Sequence, residues 1–126
     1  MIAALLVEDS ATIREVLIPT LSDLAGVEVV AFVEGEREAV EWLRSLGPSV
    51  ALVILDLFLK QGSGLGVLSR RAELGLRKVV VLTNYATAEM RRRCMELGAD
   101  AFFDKSSELD QFLDYARAAA PGRPHQ

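Results

Sequence analysis

At 126 residues, 51% of them hydrophobic, the chain has the size of one domain and enough apolar material for a core, which argues against disorder. A net charge of -4 offers no footprint for nucleic acid or an anionic membrane, and charged residues interrupt every apolar run before the ~20 residues a span requires. The single cysteine, Cys94, has no disulfide partner, and the first residues lack the basic and long apolar regions of a signal peptide, so a soluble protein of the reducing cytoplasm is expected.

Taken in chain order, apolar runs rich in β-branched residues predict strands at 2–7, 27–33, 50–55, 79–82 and 101–103. The first, third and fourth are apolar on both alternating faces, the pattern of parallel strands covered on both sides. Helical spacing recurs between them, in Ile13, Leu17, Leu21, Leu24, then Ala39, Leu43, Leu46, then 65–74, then Met90, Cys94, Leu97, and finally Leu109, Phe112, Leu113, Ala116. Thr12 and Glu15 suggest a capping box, Pro19 should kink the first helix or disturb one of its backbone hydrogen bonds, and Gly47 and Gly98 stand where C-terminal caps belong. Strand and helix alternate five times, which with right-handed crossovers predicts an α/β, flavodoxin-like, doubly wound five-stranded parallel sheet in the order 2-1-3-4-5 with five helices. The domain should span 2–119, followed by a tail at 120–126.

In such a sheet, ligands sit beyond the carboxyl ends of the strands. There the sequence sets Glu8 and Asp9 after the first strand, Asp56 after the third, Thr83 after the fourth, and Asp104 and Lys105 after the fifth. Gathered acids repel one another unless a cation compensates them. Mg2+ suits an all-oxygen set, an aspartate can form an aspartyl phosphate, and a lysine and a hydroxyl can stabilise the moving phosphoryl oxygens. Alone, each acid would more often be a solvated loop residue or a helix cap. Together they form a chemical set.

The stretches LLVEDS (Glu8, Asp9), LVILDLFL (Asp56), VVVLTN (Thr83) and GADAFFDKS (Lys105) resemble, in order and spacing, the receiver domain of two-component response regulators over nearly the whole chain. The resemblance implies that Asp56 accepts a phosphoryl group from a histidine kinase or phosphotransfer protein, while Glu8, Asp9, Asp56 and the backbone carbonyl of Phe58 hold Mg2+. It implies that Thr83 and Lys105 contact the phosphoryl group. Thr83 and Phe102 would then switch the surface of the fourth helix, fifth strand and fifth helix, which a downstream protein reads. Phe58 and Tyr85 would tune hydrolysis, and Lys105→Ala is expected to spare the fold while uncoupling the surface. With the chain running out soon after the fifth helix, a stand-alone switch that signals by contact is expected.

Two departures from the family pattern stand out. Lys60 occupies a usual proline position, which predicts a more mobile loop, although Gly64 keeps a usual glycine. Ser106 replaces the proline after Lys105, and a cis bond without proline costs roughly 3 kcal/mol, so a trans bond is expected. An aspartyl-phosphate phosphohydrolase would commonly carry a second aspartate two residues after the nucleophile, where this chain has Phe58. A receiver-like scaffold that is never phosphorylated runs against the complete residue set. Arg91, Arg92 and Arg93 fan around a helix axis and read as a solvated face, Cys94 as packing, Trp42 as cover for the sheet, and His125 as part of the tail.

Overall fold

The computed structural model describes residues 1–46, 49–75 and 77–119, so Gly47, the tail from 120 and His125 lie outside the described residues. The strands are β1 (Ile2–Val7), β2 (Val27–Val33), β3 (Leu52–Leu55), β4 (Lys78–Thr83) and β5 (Ala101–Asp104). They pair in parallel in the order β2-β1-β3-β4-β5. The helices are α1 (Ala11–Thr20), α2 (Glu36–Leu46), α3 (Gly64–Leu68), α4 (Ala88–Glu96) and α5 (Leu109–Ala119). The expected fold and strand order are therefore observed.

Alternation along the central strands divides the core into two layers. Leu5, Val7, Val53, Leu55, Val79 and Val81 face α2, α3 and α4 and meet Ala39, Leu43, Val67 and Cys94. Ala4, Leu6, Leu52, Ile54, Val80 and Leu82 face α1 and α5 and meet Leu17, Leu21, Phe112, Leu113 and Ala116. Every residue of β3 is buried, as a central parallel strand requires. Truncating Ile54 to alanine would cost about 2–5 kcal/mol.

Several local expectations need correction. The cap of α1 is Ser10, whose extended backbone lets Oγ accept from the Ile13 N–H, so Thr12 already lies inside the first turn. The helix continues through Pro19 and ends in a wide π turn, Leu21–Ala25, closed by Gly26 at φ 66°. That extra residue moves the buried position from Leu24, which is 56% exposed, to Ala25. The run 65–74 is not one helix: α3 holds a single α turn and a 3-10 turn follows at Arg71–Leu74. Gly64 and Gly66 weaken helical propensity there, but a Cβ on Gly64 would overlap the Asp56 carbonyl, so the glycine permits α3 to start against the strand end. Trp42 is 40% exposed and lies outside both core layers, because Ala39 and Leu43 supply the buried stripe of α2. Gly98 does follow α4 with φ 103°, as expected of a cap, and Cys94 is buried, its thiol pKa pushed up by burial.

Candidate functional site

Backbone hydrogen bonds carry the sheet pattern past the strand ends and fix the residues that follow. The Glu8 N–H donates to Val33, the Asp56 N–H to Val7 and the Lys105 N–H to Thr83, at 3.0 Å each. The side chains of Glu8, Asp9, Asp56 and Lys105 consequently converge at one edge. Carboxylate oxygens of Glu8, Asp9 and Asp56 lie within 4.8 Å of one another, a group able to hold a metal ion. The donors are all oxygen, with neither His nor Cys among them, which suits a hard cation such as Mg2+.

Lys105 bridges the two buried acids, its Nζ donating to Glu8 Oε1 at 2.6 Å and to Asp56 Oδ2 at 2.9 Å. Asp56 Oδ1 accepts from the Leu57 N–H at 2.7 Å, and Glu8 Oε2 from the Ser10 N–H at 3.1 Å. Burial raises the Glu8 pKa, and the bonds from Lys105 only partly oppose it. Burial alone would lower the pKa of Lys105, but its hydrogen bonds to Glu8 and Asp56 carry it above 10.5. The lysine therefore stays charged at neutral pH.

Thr83 is fully buried, and its Oγ1 accepts from the Tyr85 N–H at 3.2 Å, which closes the turn after β4. The rings of Phe58 and Tyr85 meet beside the site with centroids 4.0 Å apart, although each residue is about half exposed. Phe102 is buried in β5. Asp104 points elsewhere: its Oδ1 accepts from the N–H and hydroxyl of Ser106, which lowers its pKa. There are no cis peptide bonds among the described residues, so the Lys105–Ser106 bond is trans as expected.

Sequence reasoning missed three supporting groups. Arg14 donates to the Glu8 carbonyl at 2.8 Å and to Glu34 at 3.1 Å and lies over the Phe32 ring, tying α1 to the acidic loop. Arg91 is more than part of a solvated face: its partly exposed guanidinium sits 4.8 Å above the Phe102 ring and donates to the Phe102 carbonyl at 2.9 Å and to Glu108 at 3.1 Å. Arg92 and Arg93 remain exposed. The third group, Glu36 with Gln61, holds the loop after β3. None of these partners is marked by a local pattern.

A doubly wound sheet with three acids and a lysine at its carboxyl edge is the arrangement of a signalling receiver domain. The chain belongs to the response regulator receiver domain family, which it matches over residues 4–117, and is a two-component receiver domain. It is 35% identical over 108 residues to a protein-glutamate methylesterase/protein-glutamine glutaminase of Methanospirillum hungatei, covering 83% of this chain and 31% of that protein. It is 34% identical over 110 residues to the transcriptional regulatory protein DltR of Streptococcus agalactiae, covering 86% and 47%. The chain thus spans less than half the length of either relative. The non-phosphorylated HemR receiver domain of Leptospira biflexa is 30% identical, with a TM-score of 0.81 and 100% of each chain covered. No helix among the described residues is long and apolar enough to cross a membrane.

Proposed function

We propose that this domain accepts a phosphoryl group on Asp56 from a histidine kinase or phosphotransfer protein and thereby switches a protein-binding surface. The observation that carries the reading is the burial of the Asp56 carboxylate against Lys105 at 2.9 Å, within a cluster of carboxylates at one strand edge. A carboxylate oxygen of Asp56 attacks phosphorus as the P–N bond of the donor phosphohistidine breaks, and the released imidazole takes up a proton. Glu8, Asp9, Asp56 and the Phe58 carbonyl would hold Mg2+, which when bound neutralises charge on the phosphoryl oxygens. Lys105 supplies a second cation that can turn from Asp56 toward those oxygens, because an ammonium on a flexible stem reorients easily. Thr83 offers its hydroxyl once it leaves the turn to Tyr85, and movement there frees space against Phe102. The partner surface is then α4, β5 and α5. Phe58 and Tyr85 set the access of water. Domain 2–119 acts as a switch rather than a turnover enzyme.

Incubation with acetyl phosphate and Mg2+, followed by intact-mass measurement, tests the assignment. One phosphoryl adduct is expected on the wild type and none on Asp56→Asn; an adduct on both, or on neither, would defeat it.

A further inference from the structure

The loop from Leu57 to Ser63 carries the Phe58 carbonyl and is closed at several points. The Gly64 N–H donates to the Leu57 carbonyl at 2.9 Å, and Phe58 and Ser63 form an antiparallel bridge across the loop. The far limb then docks on the first turn of α2. Gln61 bridges Gly35 in parallel, and its carbonyl accepts from the Glu36 N–H at 2.9 Å. Its side-chain Oε1 accepts from the Arg37 N–H, also at 2.9 Å. In return Glu36 Oε1 accepts from the Ser63 N–H at 3.0 Å. Gly62 and Gly66 flank that carboxylate so closely that a Cβ on either would overlap it.

The first amides of a helix have no partner within the helix. In α2 those of Glu36 and Arg37 are satisfied by Gln61, a residue of the loop after β3, so the helix start and the loop are closed by the same bonds. Opening the loop strands two helix donors as well as the Ser63 amide. We infer that Glu36 and Gln61 are positioning residues for the phosphoacceptor loop, holding the Phe58 carbonyl in place for a metal ion before the ion arrives. The inference rests on the phosphoacceptor reading above. A loop already ordered pays no ordering cost when the ion binds, whereas a loose one must first be trapped in the competent state. Loss of an outer partner of a metal site weakens binding by about 10–100-fold. Both residues act through the loop and touch no reacting atom, so the low end of that range applies.

The test is Mn2+ binding to the full chain, followed by the electron paramagnetic resonance signal of the free ion, with acetyl phosphate labelling across a Mg2+ titration as the second readout. Glu36→Ala and Gln61→Ala should each raise the Mn2+ dissociation constant by about 10-fold. The Mg2+ concentration for half-maximal labelling should rise in parallel, while the rate at saturating Mg2+ stays at the wild-type value. Glu36→Gln keeps an oxygen acceptor for the Ser63 amide and should retain most of the affinity. Equal weakening by Glu36→Gln and Glu36→Ala would mean that charge, not position, matters, and would overturn the inference. So would wild-type affinity in both folded alanine variants. If Glu36→Ala does not fold, Gln61→Ala decides alone, since it removes only an exposed side chain and keeps the backbone bridge. Failure of the wild type to bind Mn2+ or to label would overturn the phosphoacceptor reading itself, a result distinct from unchanged variants beside a competent wild type.

Discussion

Removing the Lys105 ammonium measures how the acidic edge is held together. Its Nζ lies 2.6 Å from Glu8 and 2.9 Å from Asp56, and the three side chains are 10%, 3% and 10% exposed. Lys105→Ala leaves two buried carboxylates facing each other without a cation. Breaking a buried pair by deleting one partner costs about 3–5 kcal/mol. Part of this is relieved when Glu8, whose pKa burial already raises, takes up a proton, so the low end, about 3 kcal/mol, is expected in chelator at pH 7. For a domain of this size that lowers Tm by about 10 °C. Against the sequence-based expectation of an intact fold, the expected outcome is a fold that persists but is weakened, because Lys105 is a buried cation paired with both Glu8 and Asp56. Mg2+ should restore stability, since at about 100 times its dissociation constant a ligand of the native state adds about 2.7 kcal/mol. Its effect should be larger in the variant, where it meets no competing ammonium. Thermal unfolding by circular dichroism, with chelator and with Mg2+, gives both numbers. A Lys105→Ala protein melting within about 2 °C of wild type in chelator would refute the reasoning.

Phe58→Asn should speed loss of the phosphoryl group in excess chelator, because the exposed ring that packs on Tyr85 is replaced by a group able to orient water. A decay rate equal to or slower than wild type contradicts the shielding argument. Arg91→Ala should cost about 1 kcal/mol, a modest figure because the arginine side chain is 43% exposed, and should increase the motion of Phe102 in NMR relaxation. Unchanged relaxation at Phe102 would show that the guanidinium does not restrain the ring. Glu108 has its pKa lowered first by the Asp104 N–H and then by Arg91, so its stabilising contribution is present above the usual glutamate value and is lost as pH falls through the lowered one. The Asp104 amide shift should accordingly titrate below pH 4.5 in wild type and at a higher pH in Arg91→Ala; identical midpoints would remove the arginine from the explanation.

The acidic edge was legible because a parallel sheet converts sequence position into spatial position: whatever follows each strand arrives at one edge, and Glu8, Asp56 and Lys105 each follow a strand. That rule brings Lys105 to Glu8 across 97 residues of chain without any knowledge of contacts. No comparable rule links Glu36 to Ser63, or Arg91 to Glu108, since these pairs depend on the angle at which a helix end meets a loop. Periodicity failed at Leu24 for a related reason, because one wide π turn shifts the buried face by a residue and leaves no mark in the hydrophobic pattern. The third helix failed where glycines were needed for close approach, at Gly64 against Asp56 and at Gly66 against Glu36, so a local propensity signal was overridden by tertiary contact. The reactive groups are thus specified by topology, whereas the groups that restrain them are specified by packing geometry. On the proposed reading, two receiver domains with the same acids, threonine and lysine would differ in metal affinity and switching through residues placed as Glu36, Gln61 and Arg91 are, which carry no local motif.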